Sequence, residues 1–227
     1  MSYRPRLKIC GVANVEDAKL VGSSGADYCG ILVNVSVSER SLSLERACAV
    51  AAASEIPVVI LMCEPTVEEA EEVVREIGPS AVQLVCRESP ELVKKLKSRL
   101  GCDVWKTIHV PPVPGEASPE EYVDAGADAF LVDSVDASEG FLRLGGTGKV
   151  ADWDAAAGIV DRVPIPVFLA GGIDPDNVRS AVLEVRPYGI DLASGVEASK
   201  GKKDPDKVRA LVDNFNAAVS EIAQDER

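Results

Sequence analysis

The sequence predicts a single eight-stranded (β/α)8 TIM barrel spanning residues 1–227. Three observations carry this. Short apolar, β-rich runs alternate eight times with capped helical segments, and 227 residues is the usual length of one such barrel. No GxGxxG fingerprint follows any strand, which argues against an open, doubly wound sheet. Hydrophobic residues at 46% supply a large core, and aromatics at only 4% leave its filling to Val, Ile, Leu and Ala.

The first strand ends in Leu7-Lys8-Ile9-Cys10-Gly11, and Asn14 caps a helix opening at Val15. Tyr28–Val33 is the second strand, followed by a polar loop, Asn34–Ser41. Ser43 caps a helix with Leu44, Ala47, Val50 and Ala51 at helical spacing. Val58–Met62 is the third strand, and Thr66 opens an acidic helix that ends at Gly78-Pro79. Ala81–Leu84 is the fourth, and Pro90–Leu100 its helix, with Lys and Arg in the last turns, where they suit the dipole.

Val104–Val110 is the fifth strand, and the proline-rich run that follows can be neither helix nor ladder. Ser118-Pro119 starts the next helix, with Ser at the cap and Pro at the first position. Ala129–Asp133 is the sixth strand, followed by a long loop kept open by Gly140, Gly145, Gly146 and Gly148. Trp153–Arg162 is helical, Val167–Ala170 is the seventh strand, and Asp174-Pro175 caps a helix towards Arg186. Gly189–Ala193 is the eighth strand, and Asp204-Pro205 opens an amphipathic helix to about Gln224.

The net charge of −13 argues against nucleic acid and anionic membrane surfaces as partners, since both need basic patches. Six cysteines stand at 10, 29, 48, 63, 86 and 102 with no CxxC pair, and there is one histidine, His109. That usage points to no metal site and to a reduced, cytoplasmic chain. No signal peptide and no membrane-length apolar run is visible.

In such a barrel the βα loops at the carboxyl ends of the strands carry the chemistry. Cys10 stands at the first of these ends and Asp133 at the sixth, one thiol and one carboxyl at the same mouth. They would give an acid–base pair with no metal, the alternatives being a small core hydrophobe at Cys10 and a capping or loop-fixing carboxylate at Asp133. Gly171-Gly172 after strand seven and Ser194-Gly195 after strand eight form adjacent turns of the kind that bind a phosphate through backbone N–H groups. Arg40, in the loop after strand two, is either a solvated surface charge or a fork for a substrate carboxylate. His109, ending strand five, reads as a loop-edge histidine.

These residues resemble the phosphoribosylanthranilate isomerase family of tryptophan biosynthesis over nearly the whole chain. The likeness rests on Lys8-Ile9-Cys10-Gly11, Ser38-Glu39-Arg40, Val82-Gln83-Leu84, Val132-Asp133-Ser134 and Gly145-Gly146-Thr147-Gly148 with Asp152-Trp153. It continues in Ala170-Gly171-Gly172-Ile173 and closes in Gly189-Ile190-Asp191-Leu192-Ala193-Ser194-Gly195-Val196-Glu197. The resemblance implies a cofactor-free Amadori rearrangement of a phosphoribosyl amine, with Cys10 as general base, Asp133 as general acid and Arg40 on the anthranilate carboxylate. It also implies a monomer or a homodimer. Two stretches depart from the family pattern, Val85-Cys86 where it has His-Gly, and Asn34-Val35-Ser36-Val37 after strand two. Both fall on the side expected to meet the aromatic ring. A paralogous barrel acting on another phosphoribosyl amine and a non-catalytic phosphate-binding barrel are the alternatives.

Overall fold

The computed structural model describes residues 4–136, 143–144 and 152–225. Eight strands form the barrel: β1 (Arg6–Ile9), β2 (Tyr28–Val33), β3 (Val58–Met62), β4 (Ala81–Leu84), β5 (Asp103–Val110), β6 (Ala129–Asp136), β7 (Val167–Leu169) and β8 (Gly189–Leu192). They pair in parallel in the order β1-β8-β7-β6-β5-β4-β3-β2, and β1 also pairs with β2, which closes the sheet. Eight helices connect or follow them: α1 (Val15–Gly22), α2 (Leu44–Ala52), α3 (Val67–Ile77), α4 (Pro90–Arg99), α5 (Pro119–Asp124), α6 (Trp153–Arg162), α7 (Val178–Val185) and α8 (Pro205–Asp225).

The helix starts obey local chemistry. The side chains of Asn14, Ser43, Thr66, Ser89, Ser118 and Asp152 each accept a backbone N–H from the first turn. Thr66 and Ser118 complete capping boxes with Glu69 and Glu121. Among the described residues, no helix is long and apolar enough to cross a membrane.

Strand alternation divides the core in two. Leu7, Ile9, Ile31 and Ile60 face the helices, whereas Cys10, Leu32, Leu61, Trp105, Leu131 and Phe168 fill the barrel. Trp105 stacks on Phe168 at 5.0 Å between ring centroids, and Tyr28 meets Trp105 edge-on at 5.3 Å. These rings close the lumen beneath the mouth.

Four expectations are corrected. β6 runs on to Asp136, because Arg143–Leu144 pairs antiparallel with Val135 and Asp136 and gives the extended backbone a partner. Ser41–Leu42, expected as loop and helix approach, forms a short parallel strand against Leu32 and Val33. Asp174 does not cap α7; its carboxylate instead accepts the N–H groups of Asp176 and Asn177 and so builds the turn ahead of the helix. The chain is not fully reduced, since Cys63 and Cys86 form a disulfide with their Cα atoms 5.1 Å apart. β3 and β4 are neighbours with Met62 opposite Leu84, so the residues just past their ends meet at the mouth. The expected loop glycines Gly140, Gly145, Gly146 and Gly148 lie outside the described residues.

Candidate active site

At the carboxyl ends of the strands a cavity of about 340 Å³ opens, lined among others by Cys10, Arg40, Asp133, Gly171, Gly172 and Ser194. Its size suits a small-molecule ligand. Six of the seven expected site residues thus share one wall. The seventh, Gly195, serves behind it: a Cβ there would overlap the carbonyl of Ile173 and the backbone of Asp174. Only glycine lets the turn after β8 pack so closely on the turn after β7.

The β7 turn needs its own glycines, because Gly171 and Gly172 adopt φ of +86° and +66°. Asn177 Nδ2 donates to the Gly172 carbonyl at 2.8 Å and so fixes the turn to the start of α7. After β8, Ser194–Val196 makes one turn of 3-10 helix.

Cys10 is held on both sides through its own backbone groups. Its N–H donates to the Leu192 carbonyl at 2.8 Å, and its own carbonyl accepts from Lys203 Nζ at 2.6 Å. A Cβ on Gly30, the neighbour on β2, would sit 2.8 Å from the Cys10 sulfur, so the small residue makes room for the thiol. Inside the barrel, Lys8 Nζ donates to Asp191 Oδ1 at 2.8 Å, with Lys8 wholly buried. Burial pushes the Cys10 thiol above its ordinary value and outweighs the lowering by Lys8 and Lys203. The two lysines are the groups that favour the thiolate a cysteine base calls for, and burial opposes them.

Arg40 is no solvated surface charge. Its Nε and Nη2 donate to Glu197 Oε1 and Oε2 at 2.8 and 2.7 Å, a bidentate pair mostly removed from water. Lys203 Nζ reaches the same carboxylate at 3.3 Å. Burial pushes the Glu197 carboxyl up, but Arg40 and Lys203 outweigh it and hold the group below the ordinary value. Asp133 stands on the cavity wall at half-buried depth, in register with His109 on β5.

Sequence reasoning missed Glu197, Lys203, Lys8 and Asp191 as a connected set. The signal was present for two of them, because a charge alternating with apolar residues mid-strand in Leu7-Lys8-Ile9 and Ile190-Asp191-Leu192 faces the lumen. No such signal marks Glu197 or Lys203. His109 is also placed differently from the expectation: it is buried within β5, and its Nδ1 lies 2.7 Å from Glu116 Oε1. The Cys63–Cys86 disulfide lines the cavity where the sequence departs from the family pattern at Val85-Cys86. Among the described residues, no group of three or more His, Cys, Asp or Glu side chains is placed to hold a metal ion.

Known proteins share both this fold and this site-bearing sequence. A family model described as N-(5'-phosphoribosyl)anthranilate (PRA) isomerase matches residues 7–214. The N-(5'-phosphoribosyl)anthranilate isomerase of Methanocella arvoryzae is 39% identical over 92% of this chain and 96% of its own length. That of Haloarcula marismortui is 39% identical over 94% of this chain and 97% of its own. Among solved structures, the phosphoribosyl anthranilate isomerase of Thermotoga maritima superposes with a TM-score of 0.77 at 31% identity, over 94% of this chain and all of that one. Another such isomerase, solved with reduced 1-(o-carboxyphenylamino)-1-deoxyribulose 5-phosphate, gives a TM-score of 0.74 at 30% identity over 94% of this chain. With a match from the first strand into the last helix, and relatives alike over nearly their full length, the chain belongs to the N-(5'-phosphoribosyl)anthranilate isomerase family.

Proposed function

We propose that the cavity isomerises N-(5'-phosphoribosyl)anthranilate, the substrate in the names of its relatives, to the 1-deoxyribulose 5-phosphate product. The observation that carries this reading is the convergence of Cys10, Asp133 and Arg40 with the two glycine turns around one small cavity. The turns after β7 and β8 take the phosphate on backbone N–H groups, and Arg40 takes the anthranilate carboxylate.

Between them the chemistry balances with two protons. Asp133 donates to the ribose ring oxygen as the C1–O bond breaks, leaving the open-chain protonated Schiff base. Cys10, as thiolate, removes the proton from C2, and the electron pair moves to give the enolamine. Ketonisation moves a proton from the C2 hydroxyl to C1, and the product is an isomer of the substrate. This scheme places the isomerase among intramolecular oxidoreductases of the aldose–ketose type. It draws on side chains alone, and the protein acts as a monomer or a homodimer in the cytoplasm.

The purified protein should convert enzymatically generated phosphoribosylanthranilate with loss of the anthranilate fluorescence. Absence of turnover with that substrate, under conditions where a relative works, overturns the reading. In that event the disulfide-lined aromatic side of the cavity favours a barrel that rearranges a different phosphoribosyl amine.

A further inference from the structure

His109 is buried to 1% exposure on the inner face of β5, two positions beyond Thr107 and four beyond Trp105, both of which face the lumen. Its Nδ1 is anchored at 2.7 Å on Glu116 Oε1, and both side chains are almost wholly out of water. Glu116 itself is tied back by the Val113 N–H, so the proline-rich loop after β5 folds over to brace the ring.

Among the described residues, the other ring nitrogen, Nε2, is buried without a hydrogen-bond partner. Leaving a buried polar atom unmatched is costly, and such atoms are uncommon in folded proteins. His109 lines the cavity and Glu116 does not, so the imidazole stands between the carboxylate and the ligand space. Its neighbour in register on β6 is Asp133. On the same wall Gln83 donates from Nε2 to Thr107 Oγ1 at 3.1 Å, and its Oε1 is likewise unmatched. His109 and Gln83 thus both line one cavity, and each carries a buried polar atom that is unmatched among the described residues.

We propose that His109, braced by Glu116, is a further substrate-contacting residue whose Nε2 hydrogen-bonds a sugar hydroxyl beside Asp133. This rests on the reading that the ligand is a phosphorylated ribose derivative. The anchored Nδ1 fixes the ring, so Nε2 meets the hydroxyl without a large cost in side-chain ordering. Glu116 acts only through the ring and is a positioning residue.

The chain has a single histidine, so its imidazole nitrogens can be followed by NMR without assignment ambiguity. Histidine-labelled protein is titrated to saturation with ribose 5-phosphate and, separately, with inorganic phosphate, with occupancy checked by calorimetry. The Nε2 signal should move with the sugar phosphate and stay in place with phosphate alone. An imidazole unmoved by bound ribose 5-phosphate overturns the proposal, even if the enzyme turns over phosphoribosylanthranilate. A moved signal in a protein without that turnover supports the contact and sinks the substrate reading alone. Failure to bind ribose 5-phosphate at all removes both.

Two variants sharpen the test. His109→Asn keeps a nitrogen where Nδ1 meets Glu116 and deletes Nε2, so kcat/KM should fall roughly tenfold to a hundredfold with phosphate affinity unchanged. His109→Gln restores a nitrogen near the Nε2 position and should recover part of that loss. Wild-type kcat/KM in a folded His109→Asn protein also overturns the contact, and the NMR titration decides it if the variant fails to fold.

Discussion

Arg40 and Glu197, 157 positions apart in sequence, are locked together by two parallel hydrogen bonds of 2.8 and 2.7 Å at the mouth of the barrel. The arginine read from sequence as a fork for a substrate carboxylate already holds a carboxylate of its own chain. The pair uses one hydrogen each of Nε and Nη2, and Lys203 also lies within reach of Glu197. Gly11 lies so close that a Cβ there would come within 2.6 Å of Arg40 Cδ, which confines the arginine to this lane.

Arg40→Ala should weaken carboxylate-bearing ligands roughly tenfold to a hundredfold, from a charge-assisted pair of about 1.5–3 kcal/mol, and leave inorganic phosphate binding intact. The same change should lower Tm, because Glu197 loses its main partner in a poorly solvated setting. Titration with a product analogue and with phosphate checks the first half. Equal weakening of both ligands would place Arg40 at the phosphate.

Cys10→Ser should fold and lose about 10²–10⁴-fold in kcat/KM, the usual worth of a general base. Because burial holds the thiol above its ordinary range, wild-type kcat/KM should still be climbing with pH where an unperturbed cysteine would have levelled off. The serine variant should lack that limb. A wild-type profile that is flat from neutral pH upward argues against Cys10 as base in the free enzyme.

Asp133→Asn should bind a product analogue with near-native affinity and turn over at a small fraction of the wild-type rate. An amide fills the same space yet has no acidic proton to give. Lost affinity with kcat preserved would make Asp133 a binding group.

The Cys63–Cys86 bridge spans a sequence separation of 23 residues. Opening it should cost about 3 kcal/mol on the chain-entropy estimate, a fall in Tm of roughly 6–12 °C for a chain of this size. Thermal melts with and without a thiol reductant measure this, and a Cys63→Ser/Cys86→Ser protein should be indifferent to the reductant. Identical melts of the wild type in both conditions would show that the bridge contributes nothing to stability.

Alkaline stability has a definite sign. Burial pushes the Cys29 thiol and the Tyr122 hydroxyl each up to about 12. In the unfolded chain they titrate near 8.5 and 10. The native state then holds protons that the unfolded state has released, so stability from these groups is intact below about pH 8.5 and drains away as pH rises towards 12. Urea midpoints between pH 8 and 11 should fall steadily, and Cys29→Ala should flatten the early part of the decline. A midpoint that rises over that range contradicts the assignment.

Much of the fold was legible because its determinants are local. Thr66, Ser118 and Gly78 state where helices start and stop through their own backbone chemistry, and the structure puts caps and a left-handed turn at those positions. In an unbroken βα alternation every strand's carboxyl end faces one way, so chain order alone set Cys10, Asp133 and the two glycine turns around one mouth. Tertiary structure alone decided what those residues meet. The pairing of Arg40 with Glu197, the bridge from Cys63 to Cys86, the bracing of His109 by Glu116 and the Lys8–Asp191 pair arise from closure of the barrel and from side chains brought across it. The upward push on the Cys10 thiol comes from burial and from Asp191 on β8, against the lowering by Lys8 and Lys203. Electrostatic energy sums over neighbours in space, and a linear pattern of residue types holds no record of those distances.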